Sequence, residues 1–222
     1  MRIFAFALIG MAALATAISL VGPNIDLRVA DLFYDPAARS FSAYPWLGLL
    51  REHGYVSIVT CIAFLGAAAA ARLWPQQRLA ASPRAAFFLL STLVLGPGLA
   101  VNVALKDHWH RPRPVQVVQF GGDKAFVNWW NPTGACERNC SFAGGEVSSA
   151  AWMTAPALLA PPLWRVAALS AAALFTATIG LSRMSVGAHF FTDVVFGALI
   201  SVLIVWGMFA LLFPLRRDPR QD

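Results

Sequence analysis

Six stretches of 17–24 residues, near 3–22, 55–72, 86–105, 147–163, 166–182 and 190–213, leave this chain few folds to choose from. Their only charged residues are Arg72, which closes the second, and Asp193, near the start of the sixth. An apolar helix of roughly 20 residues spans a hydrocarbon core of about 30 Å, and lipid offers no water to an exposed backbone. The chain therefore reads as all-α, a polytopic bundle of about six transmembrane helices forming a single domain over residues 1–222. Composition agrees. The chain is 58% apolar and 13% charged, against about 45–50% and about 25% in soluble domains. Pro97, between Gly96 and Gly98, predicts a kink in the third span, and Pro161-Pro162 should end or bend the fourth.

Charge sets the orientation. One side of the membrane receives Arg2, Arg72, Arg78, Arg84, Arg165, Arg216, Arg217 and Arg220 against Asp218 and Asp222, and so carries the entire net charge of +6. The other side balances to zero. Positive loops stay cytoplasmic, so both termini are expected inside. The basic balance thus reports topology and gives no reason to expect a nucleic-acid partner. Arg2, the first apolar run and Ala13, Ala15 and Ala17 also fit a secretory signal peptide, but the run is long for one. With or without cleavage, residues 24–54 end up outside.

Two outward segments follow from this topology. Residues 24–54 mix charges with Phe33, Tyr34, Phe41, Tyr44 and Trp46, which suits either the headgroup region or an ordinary ordered connection. Residues 106–146 hold the denser polar set, and a loop of about 40 residues is usually functional or disordered. Its aromatic residues favour order against the membrane surface. Cys136 and Cys140 lie there. In an oxidising compartment they can pair, although their short spacing equally leaves them free. Cys61 reads as a small apolar filler. His108 and His110 flank Trp109, but a metal site would need further ligands in register. No metal and no cofactor is expected.

Four helix ends then meet at the outer face, bringing Lys106, Arg113, Gly144, Gly145, Glu146, Arg183, His189 and Asp193 within reach of one another. Lys and Arg clamp phosphate oxygens, Arg through its planar fork, although singly such residues often anchor headgroups. His189 and Asp193 have helical i, i+4 spacing. A carboxylate there can accept the imidazole Nδ1–H and leave Nε2 as nucleophile. Asp193 also lies one turn inside an apolar span, where an ionisable residue is functional by default. Ser141 to Glu146 runs into the fourth helix, where free N–H groups beside Gly144 and Gly145 suit an anion.

These residues resemble the type-2 phosphatidic acid phosphatase family, which includes lipid phosphate phosphatases and vanadium haloperoxidases. The first motif, Lys, six residues, Arg-Pro, stands here as Lys106 to Arg113-Pro114. The third, Ser-Arg, five residues, His, three residues, Asp, stands as Ser182-Arg183, His189 and Asp193. The second departs. Where the family has Pro-Ser-Gly-His after Ser-Phe, this chain has Ala143-Gly144-Gly145-Glu146. The Cys-x-x-x-Cys-Ser-Phe lead-in and the Gly-Glu ending are similar to a variant in bacterial lipid A 4′-phosphatases. The similarity covers about residues 86–213, the catalytic core.

What the resemblance implies is a metal-independent phosphatase of membrane lipid phosphates in a bacterial inner membrane, with its site facing the periplasm. Lys106, Arg113, Arg183 and the Gly144 and Gly145 amides would hold the phosphoryl group. His189 would attack phosphorus to give a phosphohistidine, oriented by Asp193. Glu146 replaces the family's proton-donating His, and a pKa raised in an apolar pocket would let it serve. The expected partner is a phospholipid or lipid A-type substrate, with lipid A first. Undecaprenyl diphosphate, phosphatidylglycerol phosphate and phosphatidic acid follow, and transfer to another lipid's hydroxyl is a related outcome. A non-catalytic lipid-phosphate binding or transport protein is the competing class, motivated by the altered second motif. Haloperoxidase chemistry fits poorly, because those relatives are largely soluble.

Overall fold

The computed structural model describes residues 24–41 and 82–214, with Gly10, Ala13, Ala17 and Gly22 besides. The second expected span, most of the first and the C-terminal basic cluster lie outside the described residues. Within them lie helices, one small hairpin and a long, largely irregular loop over residues 106–144. Helix α1 (Ile25–Asp31) leads into strands β1 (Tyr34–Asp35) and β2 (Ser40–Phe41), which pair antiparallel. Three long helices follow: α2 (Pro83–Leu105), α5 (Pro162–Ser185) and α6 (Phe191–Leu212). Each is long and apolar enough to cross a membrane. Their outer faces expose Leu90, Val94, Leu99, Leu163, Val166, Leu174 and Leu211, the surface that lipid tails would cover.

The third expected span forms, but not as a uniform α-helix. Ser82 caps its start, accepting from the Ala85 N–H at 3.1 Å, with Pro83 in the first turn. From Val94 onward the helix widens to π geometry, closing with Lys106 N–H to Val101 O at 3.0 Å. Pro97, which has no N–H to give, lies inside this stretch. Asn102 donates its side-chain amide to the Pro97 carbonyl at 2.7 Å. Wide turns of this kind occur often at functional sites, and this one delivers Lys106.

The fourth expected span is not one helix. It is two short pieces, α3 (Gly145–Ala151) and α4 (Thr154–Leu158). Pro156 explains the break, since its ring cannot donate to the Trp152 carbonyl four residues back. That carbonyl accepts from Ala155 N–H instead, at 2.8 Å. Trp152 turns inward, fully buried, and donates its indole N–H to Thr92 at 3.0 Å. Around it pack Ala85, Phe88, Leu89, Leu159 and Val205, forming the core at the end of the bundle remote from the polar residues.

Helix α3 sits between α5 and α6. Lipid supplies no hydrophobic drive for helices to associate, so close contact between small residues matters more than in water. The contact of Gly197 with Gly144 is such a case. A Cβ on Gly197 would come within 2.7 Å of the Gly144 carbonyl oxygen. Without one, Gly144 N–H reaches the Asp193 carbonyl at 3.0 Å and fixes the start of α3 against the start of α6. Residues 24–41 are ordered against the rest of the chain. Ala30 packs with Val117, Phe120 and Phe190, and Tyr34 and Phe41 close over Phe120.

Candidate active site

The four helix ends do meet. Backbone bonds tie the long loop across them: Cys140 N–H to Lys106 O, Ser141 N–H to Arg111 O, and Val115 N–H to Gly187 O. Within this loop Cys136 and Cys140 are joined as a disulfide with Cα atoms 5.7 Å apart. Asn139, inside that small ring, accepts from the Arg113 guanidinium through its carbonyl at 2.9 Å and its side-chain oxygen at 3.1 Å. The ring therefore aims Arg113.

His189 is buried at the centre. Its Nδ1 lies 2.8 Å from the Ser141 carbonyl oxygen. A carbonyl only accepts, so Nδ1 carries the proton and Nε2 carries the lone pair. The expected partner was Asp193, and here the structure corrects the sequence: Nδ1 is 3.9 Å from the nearer Asp193 oxygen, too far for a hydrogen bond. The reason is local. Helix α6 begins at Phe191, and Phe190 before it is extended (φ −76°, ψ 165°). His189 therefore stands off the helix, and i, i+4 geometry does not apply to it.

Asp193 is instead the hub of a buried polar cluster. One oxygen accepts from Arg111 at 2.5 Å; the other accepts from the Ser141 hydroxyl at 2.5 Å and from Phe190 N–H at 2.8 Å. Ser141 thus touches both residues, Asp193 through its hydroxyl and His189 through its carbonyl. Arg111, fully buried, also donates to Thr192 Oγ1 at 2.9 Å, to Asp26 at 2.6 Å and to the Val127 carbonyl at 2.9 Å. Burial alone would weaken its hold on its proton. Asp193 and Asp26 outweigh that and raise its pKa above the ordinary range.

Three further cations border His189. Burial, and then Arg113, Lys106 and Arg183, push the imidazole pKa well below its ordinary value, so the ring is neutral near pH 7. Lys106 is lowered by burial and then by Arg113. Arg113 is lowered by burial and then by Arg183. Three cations gathered here, one of them paired with Glu146, suit an anionic ligand.

The second motif behaves differently from expectation in two respects. Gly144 N–H is spent on the Asp193 carbonyl, so this amide does not face a phosphate. Gly145 opens α3, and its place is set by space. A Cβ there would come 2.4 Å from Asn102 Oδ1 and 3.2 Å from Lys106 Nζ. Glu146 lies at the rim, not in an apolar pocket. Its side chain is 46% exposed and meets Arg183 Nε at 2.7 Å. His108 and His110 turn to backbone carbonyls, of Val103 and Ala104 for the first and Cys136 for the second.

Sequence reasoning assigns no role to Asp26, Arg111 or Thr192, although Arg111 belongs to the dense polar set of the 106–146 segment. The doubled Arg-Pro of residues 111–114 was a usable signal for Arg111. Nothing local separates Asp26 from the other charges of its segment.

Residues 85–217 match the PAP2 superfamily. The chain belongs to that superfamily. A PAP2 relative, the lipid A 4′-phosphatase of Francisella tularensis subsp. novicida (strain U112), is 37% identical over 202 residues, covering 87% of this chain and 89% of that one. The lipid A 4′-phosphatase of Rhizobium leguminosarum is 42% identical over 122 residues, 55% of this chain and 52% of its own. Among solved PAP2 structures, a transmembrane phosphatidylglycerolphosphate phosphatase from Bacillus subtilis superposes with a TM-score of 0.51 at 18% identity. That match covers 94% of this chain and 92% of the other, and it speaks to the fold alone.

Proposed function

We propose that this PAP2-type membrane phosphatase removes the 4′-phosphate of lipid A at the non-cytoplasmic face, through a phosphohistidine on His189. The single observation that carries the chemistry is the state of His189. It is buried and neutral, with Nδ1–H held by the Ser141 carbonyl and the lone pair left on Nε2, and Arg113, Lys106 and Arg183 all act on the same ring. The substrate rests on the near full-length similarity to a lipid A 4′-phosphatase. The periplasmic placement rests on the concentration of net positive charge on the opposite face.

In the first step Nε2 forms a bond to phosphorus as the bond from phosphorus to the sugar oxygen breaks. Lys106, Arg113 and Arg183 hold the phosphoryl oxygens and offset the charge that grows on them. Glu146 gives the leaving oxygen its proton. In the second step water attacks phosphorus, its proton returns to Glu146, and the P–N bond breaks to release inorganic phosphate. Asp193 acts at one remove, by holding Ser141 and Arg111.

The test is phosphate release by the purified protein in detergent, comparing lipid A, undecaprenyl diphosphate, phosphatidylglycerol phosphate and phosphatidic acid. Lipid A should be cleaved fastest, and His189→Ala should abolish both release and an acid-labile phosphoenzyme. Turnover surviving in His189→Ala would overturn the mechanism. Faster cleavage of another lipid would overturn the substrate alone. Binding of lipid A without turnover would favour a non-catalytic role.

A further inference from the structure

Asp26 lies outside the superfamily match, which begins at residue 85, yet it is buried against the start of α6. One oxygen accepts from Thr192 N–H at 2.8 Å. The other accepts from the Thr192 hydroxyl at 2.6 Å and from Arg111 at 2.6 Å. The contacts then run unbroken from Arg111 to Asp193, from Asp193 to the Ser141 hydroxyl, and from the Ser141 carbonyl to His189 Nδ1. Arg111 is further held over the Phe190 ring, 4.5 Å from its centroid.

By formal charge the cluster sets two buried carboxylates, Asp193 and Asp26, against one guanidinium, Arg111. An imidazole that attacks phosphorus through Nε2 gains positive charge. Arg113, Lys106 and Arg183 oppose that change, and a second carboxylate behind Arg111 favours it.

We propose that Asp26 is a positioning residue for the phosphatase reaction. Through Arg111, Asp193 and Ser141 it holds His189 in its attacking orientation, and it supplies the negative charge that balances the phosphorylated ring. This rests on His189 being the nucleophile. It makes the segment before the superfamily core a working part of the site.

The test uses the full chain in detergent, with rates expressed per folded molecule as judged by thermal unfolding. Asp26→Asn should lower kcat for p-nitrophenyl phosphate and lipid A about 10–100-fold, the scale on which partners that orient a reacting group matter. KM should stay within about threefold, since the phosphate clamp is untouched. The rate of phosphoenzyme formation should fall in parallel, and Asp26→Glu should recover part of kcat. A folded Asp26→Asn protein with unchanged kcat, or one changed only in KM, overturns the proposal. If Asp26→Asn does not fold, Arg111→Lys decides: it keeps all three charges but loses the two-ended guanidinium that joins Asp26 to Asp193, and an unchanged kcat overturns the proposal equally. His189→Ala separates the two levels. If it is dead while Asp26→Asn is fully active, only this inference fails; if it turns over, the nucleophile assignment fails first.

Discussion

Replacing Glu146 with Gln keeps the shape of the side chain and removes its charge and its exchangeable proton. In the structure its carboxylate is 46% exposed and meets Arg183 at 2.7 Å. An ion pair so exposed contributes about 0–1 kcal/mol. If holding Arg183 were its whole role, the substitution would lower kcat/KM by at most about fivefold. A group that protonates the leaving oxygen contributes about 10²–10⁴-fold. The two roles are therefore well separated, and lipid A and p-nitrophenyl phosphate together resolve them. The sugar alkoxide needs a proton to leave, whereas p-nitrophenolate leaves without one. Glu146→Gln should lower kcat on lipid A by about 10²-fold or more. On p-nitrophenyl phosphate it should give a burst of nitrophenolate equal to the enzyme present, followed by slow turnover, because only the attack of water then lacks its base. A loss of about fivefold or less on lipid A, with no burst, would refute the proton-carrying role and leave Glu146 as a support for Arg183.

The remaining expectations follow from the same geometry. Gly145→Ala places a methyl 2.4 Å from Asn102 Oδ1 and 3.2 Å from Lys106 Nζ. It should raise KM by displacing Lys106 and cost about 1–3 kcal/mol in thermal or denaturant unfolding. Replacing Cys136 and Cys140 together with Ser loosens the ring that holds Asn139 against Arg113. KM should rise while the phosphoenzyme rate at saturating substrate stays close to that of the parent protein. The pH dependence has a definite sign. In the proposed mechanism His189 must be neutral to attack, and burial with Arg113, Lys106 and Arg183 holds its pKa well below the ordinary 6.5. After correction for the substrate's own titration, the acid limb of kcat/KM should therefore fall well below that pH. Lys106→Met removes one cation and should move the limb to higher pH; a limb that does not move would contradict the assignment.

Much of the site was legible because its chemistry needs charge where lipid forbids it. Lys106, Arg113, Arg183, His189 and Asp193 stand out against long apolar runs, and they do gather at one end of the bundle. The partner of His189 was not legible. Counting four residues to Asp193 assumes a helix that starts two residues too early, and the extended Phe190 breaks that register. The role expected of Gly144 failed for a related reason. Its N–H points at the Asp193 backbone because Gly197 lets the two helix starts come close. The acid role that the resemblance implies for Glu146 supposes an apolar pocket, yet its side chain is half exposed and meets Arg183.

By itself the sequence determined the medium, the class of fold and the superfamily. Spans of uncharged residues admit only a membrane helix, and the Lys-Arg and Arg-His-Asp spacings are short-range patterns that survive without coordinates. Tertiary structure decided which atoms touch. Asp26 and Thr192 are separated by 166 residues, and no local rule connects a carboxylate in the first outward segment to the helix that follows His189. That link exists because Arg111, deprived of water, needs an acceptor at each end of its guanidinium, and only the folded chain brings both to it.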